Sequence, residues 1–306
     1  MMSNKKATRL LITGDQGFVG QHALAHQQTA IGLSSLSKNI DICDKPALIN
    51  CFEKFQPDAL LHLAAKSFLP DSFRFPEKTF DVNFLGTLRL FEALAETGFT
   101  GRLLYVSTGD AYGLVPEDQL PIREDLTLRP RNPYAVSKAA AELLCYQWSL
   151  TCPFKIVIAR PFNHIGAGQT PNFALSDFAR QAAEIAAGER SPILRVGNID
   201  VTRDFSDVKD VVRAYDLLLV HGRNGEIYNV CSGVERSIRM LLERLLELAA
   251  VKAEIVSDPA RYRPAEQPRV CGNYDKLKHD TGWQPEVPID KTLLNLYRYW
   301  EKKIAK

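Results

Sequence analysis

The stretch Thr8-Arg-Leu-Leu-Ile-Thr-Gly-Asp-Gln-Gly-Phe-Val-Gly20 decides the fold of this 306-residue chain. Its apolar run is short enough for a buried strand, and Gly14, Gly17 and Gly20 follow at once in a G-x-x-G-x-x-G spacing that opens a helix. Glycine permits the tight turn and lets a pyrophosphate approach the backbone, while the first N–H groups of the helix point at the anion. Gln16, Phe18 and Val19 supply that backbone. Three glycines alone could simply join a strand to a helix. Placed after the first strand of an alternating pattern, they read as a dinucleotide turn.

Working outward, strands are expected at 8–13, 30–33, 59–63, 102–107 and 154–159, with long helices over 80–97, ended by Gly98, and 134–150, opened by Pro133. That alternation predicts an α/β fold, a Rossmann-type doubly wound parallel sheet with a smaller α/β substrate-binding lobe. Beyond Pro161 the texture changes. A helix near 174–187 and a strand near 193–196 suit the smaller lobe, and a helix over 207–220 with a strand over 226–230 suits a return to the first sheet. The expected division is 1–162 plus about 201–231 for the dinucleotide, and about 163–200 plus 232–306 for a sugar nucleotide.

The 38 basic and 36 acidic residues nearly cancel, so no strong field favours nucleic acid or an anionic membrane as partner. No apolar stretch is long enough for a signal peptide or a span, which suits a cytoplasmic protein. Six cysteines without a Cys-x-x-Cys pair read as reduced thiols, and no metal site is expected. His62, His164 and His279 read as structural.

An NAD-preferring site places Asp or Glu at the end of the second strand. Here Gly32-Leu-Ser-Ser-Leu-Ser-Lys38 offers hydroxyls, Ser34 among them, and a cation, which favours NADP(H) while leaving NAD(H) possible. Asp41 and Ile42 fall where a carboxylate meets the adenine amino group, and Leu63-Ala64-Ala65 lets the coenzyme lie close.

The catalytic signal is Tyr134-Ala-Val-Ser-Lys138, whose spacing puts phenol and ammonium on one helix face downstream of Ser107-Thr108 at a strand end. Ketone reduction needs a proton for the alkoxide that forms as hydride arrives. The ammonium of Lys138 is expected to draw the phenol of Tyr134 down toward the working range and to hold the nicotinamide ribose, with Thr108 orienting the carbonyl. Ser107 and Arg160 are expected beside the coenzyme; for Arg160 the alternative is a buried ion pair at the end of the sheet.

The glycine turn, Leu61-His-Leu-Ala-Ala65, Asn83-Phe-Leu-Gly-Thr87, Val106-Ser-Thr-Gly-Asp-Ala-Tyr-Gly113, Tyr134 to Lys138, Ala159-Arg-Pro-Phe-Asn-His-Ile-Gly166, Arg203-Asp-Phe-Ser-Asp207 and Tyr228-Asn-Val-Cys-Ser-Gly233 together resemble the extended short-chain dehydrogenases/reductases. The likeness covers nearly the full length and is strongest to the GDP-sugar branch, which contains GDP-mannose 4,6-dehydratases and GDP-4-keto-6-deoxymannose reductases. It implies that Asn163, Asp177, Val196, Arg203, Glu266 and Arg269 meet the sugar nucleotide. It also implies a homodimer paired through the two long helices. A dehydratase of this branch carries Glu two residues after the catalytic Thr; here Asp110 stands there, one methylene shorter. That departure favours reduction of the C4 ketone of GDP-4-keto-6-deoxy-D-mannose to GDP-D-rhamnose. The alternatives are the 4,6-dehydratase itself and a non-catalytic dinucleotide sensor.

Overall fold

The computed structural model describes residues 9–37, 40–261 and 267–305. Strands β1 (Leu10–Thr13), β2 (Ile31–Gly32), β3 (Ala59–His62), β4 (Arg102–Val106) and β5 (Lys155–Pro161) form the central sheet. Further along come β6 (Asn163–Ile165), β7 (Ile193–Val196), β8 (Thr202–Asp207), β9 (Ile227–Val230), β10 (Glu235–Ser237) and β11 (Glu254–Ser257). With β9 added, the central sheet runs β2-β1-β3-β4-β5-β9 and all its pairs are parallel. Its strands are buried on both faces, which is why they read as unbroken apolar runs rather than alternating ones.

One face of the sheet packs under helices Phe18–His26 and Val208–His221, the other under Lys45–Phe55, Gly86–Glu96 and Pro133–Thr151. Chain order reverses between β1 and β3, so their carboxyl ends open the crevice in which a doubly wound sheet binds its ligand. The expected helix over 80–97 is broken into Pro76–Phe80, a wider turn at Asp81–Leu85 and Gly86–Glu96. At that turn Asn83 faces inward, accepting from the Lys66 N–H at 2.8 Å and donating to the Ser137 hydroxyl at 3.0 Å.

A second core gathers Leu175, Phe178, Leu194, Leu242, Leu293 and Trp300, under the pairs β7/β11 and β6/β8/β10. Two segments depart from the expected division. Leu277 and Trp283 pack with the central sheet, and Val201 and Phe205 of the β8 segment belong to the second core. The joint between the two is polar: Asp204, fully buried, accepts from the N–H groups of Ser232, Gly233 and Gly272 at 2.7, 2.9 and 3.1 Å and from the Ser232 hydroxyl at 2.6 Å. Four donors on one carboxylate offset the cost of burying its charge.

Among the described residues no helix is long and apolar enough to cross a membrane, and no group of three or more His, Cys, Asp and Glu could hold a metal.

Candidate active site

At the crevice, Gly14 adopts φ 69°, and a Cβ there would lie 2.7 Å from the Ala64 nitrogen. The glycine turn and the segment Leu63-Ala64-Ala65 are thus in contact, and only glycine fits between them. Helix Phe18–His26 begins after Gly17 with no side-chain cap, leaving its first N–H groups to an anion. At the end of β4 the Ser107 hydroxyl is buried without a partner. A crowded glycine turn, an uncapped helix start and an orphaned hydroxyl at the strand ends fit a dinucleotide.

The Tyr134/Lys138 pair sits on helix Pro133–Thr151, which starts well: Asn132 caps it by accepting from the Ala135 N–H at 2.7 Å, and Pro133 takes the first position. Tyr134 therefore falls in the first turn and Lys138 one turn further, on the same helix face. Lys138 is 2% exposed and lies 4.3 Å over the Tyr105 ring. Burial pushes its amine down to about 8, against the pull of the Cys145 and Glu142 charges. Burial also raises the Tyr134 phenol, and the charge of Asp110 adds to the rise, while a hydrogen bond from Thr108 opposes it. The causes of the Tyr134 shift do not include the expected pull of Lys138: burial is the largest, and it raises the phenol. Tyr134 stands as a protonated acid at neutral pH, touching Thr108.

Arg160 is also corrected. Its guanidinium donates to Glu142 at 2.6 and 3.0 Å and to the Tyr112 hydroxyl at 2.8 Å, with both members of the ion pair 3% exposed. The buried ion pair is the alternative that holds, since the fork is committed to Glu142 and Tyr112 rather than to the nicotinamide side. Glu142, one turn beyond Lys138, is not singled out by the sequence; an acidic residue four positions after a lysine looks like an ordinary helix pair.

Asn163 is exposed at the start of β6. Arg203 and Arg269, far apart in sequence, have different partners: the Arg203 guanidinium donates to the Thr202 and Gln267 carbonyls, both at 2.7 Å. Arg269 grips Glu235 at 2.8 Å through two nitrogens and Glu117 at 3.0 Å, and Arg203 pairs in register with Arg236 of β10. Arg236 is the cation that sequence reasoning passes over. Asp177 and Val196 are corrected as direct contacts. The Asp177 carboxylate is filled by Arg180, Gln181 and Arg261 at 2.6 to 2.7 Å, and the Val196 side chain lies in the second core. Asp41 turns its carboxylate back onto the Cys43 N–H at 2.9 Å while Ile42 is buried against Gly86. Lys38 and Glu266 lie outside the described residues. His62 is structural as expected. The Thr87 hydroxyl donates to the Asn83 carbonyl, so its oxygen accepts from Nε2–H of His62, and Nδ1 accepts from Thr13 at 2.7 Å. Burial drops this imidazole to about 3, so it stays neutral.

A parallel doubly wound sheet, a glycine turn at its switch point and a Tyr/Lys pair, its lysine buried, on the helix flanking β4 and β5 define a short-chain dehydrogenase/reductase. The chain belongs to the GDP-mannose 4,6-dehydratase family, whose pattern it matches over residues 23–295. It is 48% identical over 299 residues to the GDP-6-deoxy-D-mannose reductase of Pseudomonas aeruginosa, covering 97% of this chain and 98% of that protein. The solved structure of RMD from Pseudomonas aeruginosa, complexed with NADPH, superposes with a TM-score of 0.92 at 46% identity, covering 97% and 99% of the two chains. The UDP-glucose 4-epimerase of Thermus thermophilus, in complex with NAD, gives 0.83 at 29% identity over 95% and 98%.

Breaking the Arg160–Glu142 pair on one side strands a buried charge. Glu142→Gln is expected to cost about 3–5 kcal/mol in denaturant unfolding. The double replacement Glu142→Gln with Arg160→Met, which removes both charges, is expected to recover most of that loss.

Proposed function

We propose that this chain reduces the C4 ketone of GDP-4-keto-6-deoxy-D-mannose to GDP-D-rhamnose, with NADPH favoured as reductant and NADH admitted. The observation that carries the reading is the Tyr134 phenol, half-buried beside Thr108 and one turn from the buried Lys138. The bound reduced nicotinamide supplies the hydride. Thr108 orients the ketone oxygen, Tyr134 gives it the proton as charge develops there, and the Lys138 ammonium stabilises the phenolate left behind.

Asp110 supports reduction over dehydration. Its backbone N–H donates to the Thr108 oxygen at 3.2 Å, so the residue is tied to the catalytic strand end, and its carboxylate reaches one methylene less far than a glutamate. A reach short by about 1 Å can cost about a hundredfold in proton abstraction. The full-length likeness to a GDP-6-deoxy-D-mannose reductase points the same way.

On the substrate side, Arg203 and Arg236 offer forked donors suited to a diphosphate, Arg269 would have to exchange Glu235 and Glu117 for it, and Asn163 stands at the sugar end. In this division of labour, the central-sheet unit, with Leu277 and Trp283, holds the coenzyme, and the second core, with Val201 and Phe205, the sugar nucleotide. A second copy of the chain is the partner. Leu143, Tyr146 and Leu150, spaced along one stripe of helix Pro133–Thr151, are 72%, 55% and 68% exposed, a row that a paired helix would cover.

Purified protein given NADPH and the 4-keto sugar nucleotide is expected to oxidise the coenzyme and yield a 6-deoxyhexose; unchanged coenzyme absorbance rejects the reading. Tyr134→Phe is expected to lower kcat by about a hundredfold or more with KM little moved. The rate should hold below pH 8 and fall above it as Lys138, with its amine near 8, loses its proton. Leu143→Glu is expected to turn the dimer into a monomer in light scattering.

A further inference from the structure

The sequence places no acid at the end of β2, yet the fold delivers one there. Asp15, in the glycine turn, lays its buried carboxylate across Gly32, the last residue of β2, and a Cβ on Gly32 would overlap it. The same carboxylate accepts from the Ser34 N–H at 3.2 Å and from the Ser34 hydroxyl. A carboxylate at the end of the second strand is the group that reads the ribose 2′ position of a dinucleotide in folds of this kind. In this chain the glycine turn supplies it instead.

We infer that Asp15 is a coenzyme-specificity residue, whose carboxylate accepts from a ribose 2′-hydroxyl and opposes a 2′-phosphate, leaving NADH a competent reductant beside NADPH. The inference rests on the coenzyme reading proposed above. A carboxylate has about four lone-pair positions, and Ser34 occupies two, so acceptor capacity remains for a hydroxyl. Toward a phosphate it has only repulsion to offer. The Ser34 hydroxyl, read from the sequence as a donor to a 2′-phosphate, has its single proton committed to Asp15. Gly32 is required because the carboxylate takes the space a side chain would fill.

The test is direct binding of ADP-ribose and of its 2′-phosphate to the purified protein by calorimetry, without substrate or turnover. Asp15→Asn keeps the shape and an acceptor for Ser34 but removes the charge. It is expected to shift the ratio of the two dissociation constants about tenfold in favour of the 2′-phosphate. Asp15→Ser, with a smaller side chain, should shift it the same way, and Ser34→Ala, which leaves the carboxylate in place, should not. A ratio unchanged in both Asp15 variants overturns the inference while leaving the coenzyme site standing. Failure of the unsubstituted protein to bind either ligand overturns the coenzyme reading itself.

Discussion

Burial of Lys138 beside the half-buried Tyr134 is the constraint on which the rest of this structure depends. A phenol and an ammonium in solution titrate close together, and neither is then committed to a role. Burial moves them in opposite senses, the phenol up and the amine down to about 8, because each resists becoming charged where solvent is excluded. The result is an acid that keeps its proton until an alkoxide demands it. In the proposed reaction Lys138 stabilises the phenolate once the proton has left.

Holding Lys138 buried beside Tyr134 requires that their surroundings be fixed. Glu142 and Arg160 pin the helix to β5, and Asn83 ties the preceding turn to Ser137, whose hydroxyl in turn donates to the Tyr134 carbonyl at 2.7 Å. From the other side, Thr13 joins the glycine strand to neutral His62, and His62 to Thr87, one turn beyond Asn83. The polar contacts therefore run without a break from the dinucleotide turn to the catalytic helix. Satisfied networks of this kind fix geometry at a cost that half-satisfied ones would not repay.

The sheet and the Tyr/Lys helix are legible in the sequence because both rest on local patterns: buried apolar runs of strand length, a glycine turn, and a four-residue spacing behind Pro133. Pairings across long separations are not legible. Nothing near Arg160 announces Glu142 or Tyr112, and Asp177 looks like a free carboxylate until Arg261, 84 positions on, is folded against it. Asp15 is hidden differently: the rule searches the end of the second strand, and here the acid arrives from the first turn. The direction of the Tyr134 shift escapes the sequence because spacing reports the neighbouring charge but not the exclusion of water.

The most direct test of the account is the ionisation of Tyr134 itself, followed by NMR of ring-labelled tyrosine with Tyr134→Phe to assign the signal. The account predicts a neutral phenol in the unliganded protein throughout the neutral range and past the ordinary midpoint near pH ~10. A phenol that ionises near pH ~7 in that protein would contradict it, since the proton would then be gone before the ketone arrived.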